Sequence, residues 1–172
     1  MKPVYLLTGP PGSGKTSLIK QAVVMMKGRA GGFYTEEIRS QGVRQGFRLV
    51  TLDGDSAILA HVDIRSRQRV SRYGVDITGL EQVGVAALRR AAEHCDLVIV
   101  DEIGKMELLS ASFRETVAQL IGSGKKVLGT IMLAANPWAD ALKRQELVNL
   151  IGVTRANHDQ VLREIQDWLT HE

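Results

Sequence analysis

The sequence predicts an α/β fold: a mainly parallel sheet flanked by helices, with an antiparallel hairpin region inserted into it. Three observations predict it. Short apolar runs that read as buried strands alternate with amphipathic stretches that read as helices, the pattern of a parallel sheet covered on both faces. Between residues 33 and 62 three β-type segments follow one another with turn signals and no helix between them. The first apolar run also leads directly into a glycine-rich loop and then a helical pattern, so strand, loop and helix come in immediate succession. At 172 residues the chain is read as one domain, 1–172, long enough to bury a substantial core.

Taken in order, residues 3–8 (PVYLLT) form the first strand. Residues 16–27 read as a helix whose apolar stripe is Leu18, Ile19, Ala22, Val23 and Met26. Residues 28–32 (GRAGG) read as a turn. The three β segments are 33–39, 47–52 and 57–62, joined by a hairpin connection at 42–46 and a tight turn at Asp53-Gly54. Helix 80–94 and buried strand 97–101 follow, the strand ending in a carboxylate. Next come helix 109–121, closed by Gly122, and strand 126–131. A short helix at 138–144 after Pro137, a strand at 147–153 and a helix at 157–169 complete the chain.

The loop at 9–16, GPPGSGKT, matches G-x-x-x-x-G-K-[ST], the phosphate-binding loop (P-loop). Gly9, Pro10, Pro11, Gly12, Ser13, Gly14, Lys15, Thr16 and Ser17 are therefore the candidate nucleotide-binding residues. Gly12 and Gly14 permit backbone angles at which successive N–H groups turn inward toward phosphate oxygens. The helix that follows adds unpaired N–H groups and the positive end of its dipole. Lys15 is a mobile charge for the β- and γ-phosphates, and the Thr16 hydroxyl suits Mg²⁺. Pro10 and Pro11 carry no N–H, so they stiffen the entrance rather than join the cradle.

Asp101, at the end of an apolar strand, reads as a Walker B carboxylate that holds Mg²⁺ directly or through water; ligands gather at the carboxyl ends of strands in such sheets. Glu102 points in a different direction from Asp101 and is the candidate base for the attacking water. Two readings of Lys105 stand: it neutralises transition-state charge, or it pairs with Glu107. Thr130 ends its strand where a hydroxyl could reach the γ-phosphate or the water, although a β-branched residue there needs no function. Asn157 is read first as the cap of the last helix and Arg155 as a residue that could stack on a base. Arg65, Arg67, Arg69 and Arg72 form a solvated face, a lid or wall that touches nucleotide phosphates, or a nucleic-acid contact.

The composition bounds the function. A net charge of +3 is too small to argue for nucleic acid by itself. The single cysteine, Cys95, allows no internal disulfide and suits a reducing, cytoplasmic setting. No apolar run approaches the ~20 residues of a membrane span. The chain opens on strand and loop, so no signal peptide is expected.

Four stretches together resemble one family: 9–16, 32–39 (GFYTEEIR), 101–108 (DEIGKMEL) and 129–131 (GTI). It is the small nucleoside-triphosphatase family of thermophilic bacteria and archaea, with a human cancer-related relative. The resemblance implies a RecA-like P-loop fold and slow, Mg²⁺-dependent hydrolysis of ATP, GTP and other nucleoside triphosphates. It also matches Lys15, Thr16, Asp101 and Glu102 to the family's phosphate loop and acidic motif. The family tends to carry Asn-Arg where this chain has Asn157-His158, which bears on base or ribose handling. The main rival reading is a P-loop kinase with a small acceptor; Glu102, which suits activation of water, stands against it. A nucleotide-gated protein acting on RNA is a third, weakened by the modest charge and the lack of an aromatic platform.

Overall fold

The computed structural model describes residues 1–171. Strand β1 (Val4–Thr8) leads through the glycine-rich loop to helix α1 (Lys15–Met25). Strands β2 (Ala30–Ser40), β3 (Val43–Thr51) and β4 (Ser56–His61) follow, then a short hairpin of β5 (Arg69–Val70) and β6 (Tyr73–Val75). The chain next forms α2 (Ile77–Gly79), a π-helical segment (Leu80–Val85) and α3 (Ala86–His94). Strand β7 (Leu97–Ile103), a 3-10 turn (Glu107–Leu109) and α4 (Ala111–Gly122) come after it. Strand β8 (Lys126–Ile131), α5 (Pro137–Lys143), β9 (Val148–Gly152) and α6 (His158–Thr170) end the order.

The strands make one sheet in the order β5-β6-β4-β3-β2-β7-β8-β1-β9. From β2 to β9 all neighbours are parallel, and from β3 outward all are antiparallel. One strand, β8, separates the strand before the glycine loop from the strand that carries Asp101, the RecA-like arrangement. Alternation along the parallel strands divides the core between two faces. Val4, Leu6, Val98 and Val100 face α3, α4 and α5, where Leu88, Phe113 and Leu142 pack. Tyr5, Leu7, Leu97 and Ile99 face α1 and α6, where Ile19, Ile165 and Trp168 pack.

Several boundaries differ from those the sequence predicts. Gly31 and Gly32, read as a turn, lie inside β2. A Cβ on Gly32 would come 2.0 Å from the Ile99 carbonyl oxygen, so Gly32 lets β2 lie close against β7, while a Cβ on Gly31 would meet Ala91 of α3 at 2.7 Å. The helix expected from Leu80 begins at Ile77, because the Asp76 carboxylate accepts from the Gly79 N–H (2.9 Å). Helix α4 starts after Ser110, whose hydroxyl oxygen accepts from the Phe113 N–H (3.0 Å), and residues 107–109 form a separate turn. Helix α1 stops at Met25, with Met26 extended.

Segment 65–72 is not one continuous strand: only Arg69–Val70 pair, and Val70 reaches the cleft that the phosphate loop lines. Arg69 is turned inward on its own hairpin, donating to the carbonyls of Ile64 (3.2 Å) and Arg72 (2.8 Å). Arg65 and Arg67 stand in solvent.

Candidate active site

The loop between β1 and α1 closes on itself. The Ser13 N–H donates to the Pro10 carbonyl (3.2 Å), and the Leu18 N–H to the Gly14 carbonyl (3.0 Å), which starts the helix. Gly14 sits at φ +88°, and a Cβ there would also meet the His158 ring at 3.2 Å, so glycine is required by angle and by space. The Lys15 ammonium folds back over the loop. It donates to the carbonyls of Gly9 (2.8 Å) and Pro10 (3.1 Å) and to the Ser13 hydroxyl (3.4 Å). A cation held only by neutral oxygens is ready to exchange them for anionic ones.

The acidic half comes from a break in regular pairing. The register between β7 and β8 shifts between Val100 and Ile103, so Asp101 and Glu102 fall where the ladder is irregular. There both side chains can turn toward the loop instead of alternating across the sheet. Asp101 is only 3% exposed. Its two carboxylate oxygens accept from different hydroxyls, Thr16 (2.8 Å) and Thr130 (2.7 Å). The Thr35 hydroxyl donates to the Asp101 carbonyl (2.5 Å). Strands β2, β7 and β8 and the start of α1 thus converge on one residue.

Burial pushes the Asp101 carboxyl above its ordinary value, against the hydrogen bonds of Thr130, Thr16 and Thr35 and the charge of Lys15. Burial and then the charge of Asp101 raise Glu102, with Lys15 opposing. Glu107 is 3% exposed and raised well above the ordinary range, first by burial and then by Glu102. Tyr34, on β2, is pushed up to about 12 by burial and by the charge of Asp101, so it remains a neutral phenol. The site therefore holds three carboxyl groups for one nearby ammonium, a cluster short of positive charge.

These groups open onto a cleft of about 620 Å³. Gly9, Pro11, Gly12, Gly14, Lys15, Thr16 and Ser17 line it, with Asp101, Glu102, Lys105 and Glu107 opposite. The ion pair considered between Lys105 and Glu107 does not form: Lys105 is exposed on the wall while Glu107 points inward. Thr130 serves Asp101, not open space in the cleft. Arg155 is exposed on the β9–α6 connection. Asn157 stands at the start of α6 without capping it; its side chain instead accepts from the Thr154 N–H (2.8 Å) and donates to the Gly152 carbonyl (2.8 Å), shaping that connection. His158 packs on Gly14. Thr35 and the far wall at Glu37, Arg44 and Phe47 went unread as site residues; only the resemblance of 32–39 pointed near them.

Loop, helix start and buried acidic strand end, set on a parallel sheet with one strand between them, define the P-loop class of nucleotide-binding α/β proteins. The chain matches the family model described as NTPase over residues 4–166, and it belongs to that family. It is 46% identical to the nucleoside-triphosphatase THEP1 of Thermotoga maritima over 160 residues, 93% of this chain and 91% of the relative. It is 37% identical to the cancer-related nucleoside-triphosphatase homolog of Mus musculus, covering 92% of each. The crystal structure of THEP1 from Aquifex aeolicus superposes with a TM-score of 0.89 at 35% identity, over 98% of this chain and 99% of the other. The solution structure of a human cancer-related nucleoside triphosphatase gives 0.79 at 35% identity, over 99% and 98%. No helix among the described residues is long and apolar enough to cross a membrane.

Proposed function

We propose that this chain hydrolyses nucleoside triphosphates, ATP and GTP among them, to diphosphate and phosphate. The observation that carries the reading is Asp101, buried and clamped by Thr16 of the phosphate loop on one side and Thr130 on the other. The names of the relatives support it. The single sheet that carries both halves of the site supports reading the chain as one domain.

The residues fit Mg²⁺. Thr16 and Asp101 offer a hydroxyl and a carboxylate oxygen 2.8 Å apart, hard donors beside a site short of positive charge. Bound there, Mg²⁺ neutralises charge on the β- and γ-phosphates.

The chain's own groups do the rest. Loop N–H groups and the start of α1 bind phosphate oxygens. Lys15 leaves the Gly9 and Pro10 carbonyls for the β- and γ-phosphates. Glu102 accepts a proton from water as the water oxygen bonds to the γ-phosphorus and the bridging oxygen departs with the diphosphate. Both Asp101 oxygens are taken by Thr16 and Thr130, so Glu102 is the member of the acidic pair left to act as base. Lys105, on the facing wall, balances charge on the transferred group. Arg155 and Asn157 shape the nucleoside end. The test is phosphate release from ATP, GTP, CTP and UTP with Mg²⁺ and with a chelator. Release from several triphosphates that stops on chelation is expected; no release from any would overturn the reading.

A further inference from the structure

The cleft extends beyond the reaction just described. Its far half is walled by Phe47, Leu59, Val70 and Met106, from the antiparallel extension and from the segment after β7. At its rim stands Arg44. The Arg44 Nε donates to the Tyr73 hydroxyl (2.9 Å) and its Nη1 to Glu37 (3.3 Å), and the guanidinium lies 5.1 Å from the Phe47 ring centroid. Arg39 bonds the same Glu37 carboxylate (2.7 Å), and Arg72 reaches the Arg44 carbonyl and the Tyr73 hydroxyl.

Two guanidiniums, Arg39 and Arg44, thus share one carboxylate, and a third, Arg72, has only neutral oxygens as partners among the described residues. Burial is the largest single influence on Glu37 and raises it, but the hydrogen bonds and charges of Arg39 and Arg44 together outweigh it and hold Glu37 below its ordinary value, so it is ionised. With Glu36, which also lines the cleft, counted as a second negative charge, one positive charge is left over. Arg44 Nη2 has no partner among the described hydrogen bonds. A guanidinium fixed by stacking and two hydrogen bonds has little freedom left to lose on taking an anion. Thr35 touches Asp101, and Glu37, which Arg44 bonds, lies two residues along β2, about 7 Å at ~3.3 Å per residue, so Arg44 stands about one small molecule's length from the acidic pair.

We infer that the far half of the cleft is a second ligand subsite, for a small organic anion with a ring-sized apolar body. The anionic group meets Arg44, and the body lies against Phe47, Leu59, Val70 and Met106. Its far end then lies beside the γ-phosphate; that last placement, and only that, rests on the nucleotide reading above.

Phenyl phosphate is the probe, titrated by calorimetry into protein saturated with Mg²⁺–ADP so that the phosphate loop is already filled. Binding of Mg²⁺–ADP, measured first in the same cell, tests the nucleotide reading separately. Saturable one-to-one binding is expected, with inorganic phosphate and benzyl alcohol each at least about tenfold weaker because each lacks one half of the recognition. Arg44→Gln and Val70→Asp should each weaken phenyl phosphate by about tenfold or more, and Arg44→Lys by less. A thermal midpoint and far-UV circular dichroism spectrum unchanged from wild type show that Arg44→Gln is folded. The inference is overturned if phenyl phosphate does not saturate the ADP-loaded protein, if it merely displaces ADP, or if both Arg44→Gln and Val70→Asp bind it as wild type does.

Discussion

Asp101 and Glu102 are adjacent carboxylates with different surroundings, and this is where the chemistry divides. Asp101 is held by two threonine hydroxyls and leaves little of itself free to move. Glu102 is raised by burial and by Asp101, and it faces the cleft. Asp101→Asn should therefore weaken Mg²⁺–triphosphate binding and hydrolysis together. Glu102→Gln keeps the shape and should leave binding near wild type while lowering kcat by about 10²–10⁴, the usual worth of a positioned base. Calorimetric affinity paired with single-turnover phosphate release separates the two. A Glu102→Gln enzyme that turns over at the wild-type rate would remove Glu102 from the role of base.

At the scale of elements, the stretch after β7 sets the position of these groups. A Cβ on Gly104 would lie 2.3 Å from Glu102 Oε1, the end of a movable side chain. Gly104→Ala should then push the carboxylate aside and lower kcat by about 10- to 100-fold, since a displacement near 1 Å is that costly. The thermal midpoint should hardly change; a large fall in stability with unchanged kcat would contradict the account. The 3-10 turn carries a second test. Glu107 is raised by burial and by Glu102, so its folded pKa exceeds its unfolded one. Its stabilising contribution is full below the unfolded value near 4.5 and is lost as pH rises toward the raised folded value. Glu107→Gln removes that loss, so the variant should gain on wild type progressively from pH 5 to pH 8 in urea midpoints. A difference that does not vary with pH would show that Glu107 does not titrate abnormally.

At the scale of the whole molecule, the parallel core was legible because strands buried on both faces read as continuous apolar runs, as in VYLLT and LVIV. The phosphate loop and Asp101 were legible because their spacing and flanks are specific. The hairpin of β5 and β6 was not, since strands of two and three residues carry no period. Nor was the far wall of the cleft, since Arg44 meets Tyr73 across 29 residues of sequence through a pairing that only the folded sheet creates. The caps at Asp76 and Ser110 were present in the sequence but were outweighed by the apolar periodicity beside them. Helix α6 joins these scales, because its two ends hold different parts of the molecule. At its start His158 packs on Gly14 of the phosphate loop. Near its end Trp168, 2% exposed, lies 4.6 Å from Tyr5 and donates its indole N–H to the Lys2 carbonyl (3.1 Å). Trp168→Ala should cost about 3–5 kcal/mol in urea unfolding, through lost burial and the cavity left under the sheet. If the loop end of the helix stays seated, saturation with Mg²⁺–ADP should restore the same increment as in wild type, about 2.7 kcal/mol at a hundredfold excess over Kd. A loss below about 1 kcal/mol would mean that α6 does not clasp the core. A smaller ADP increment in the variant would mean that the clasp and the nucleotide site are one cooperative unit, with the loop yielding when the far end of α6 is cut.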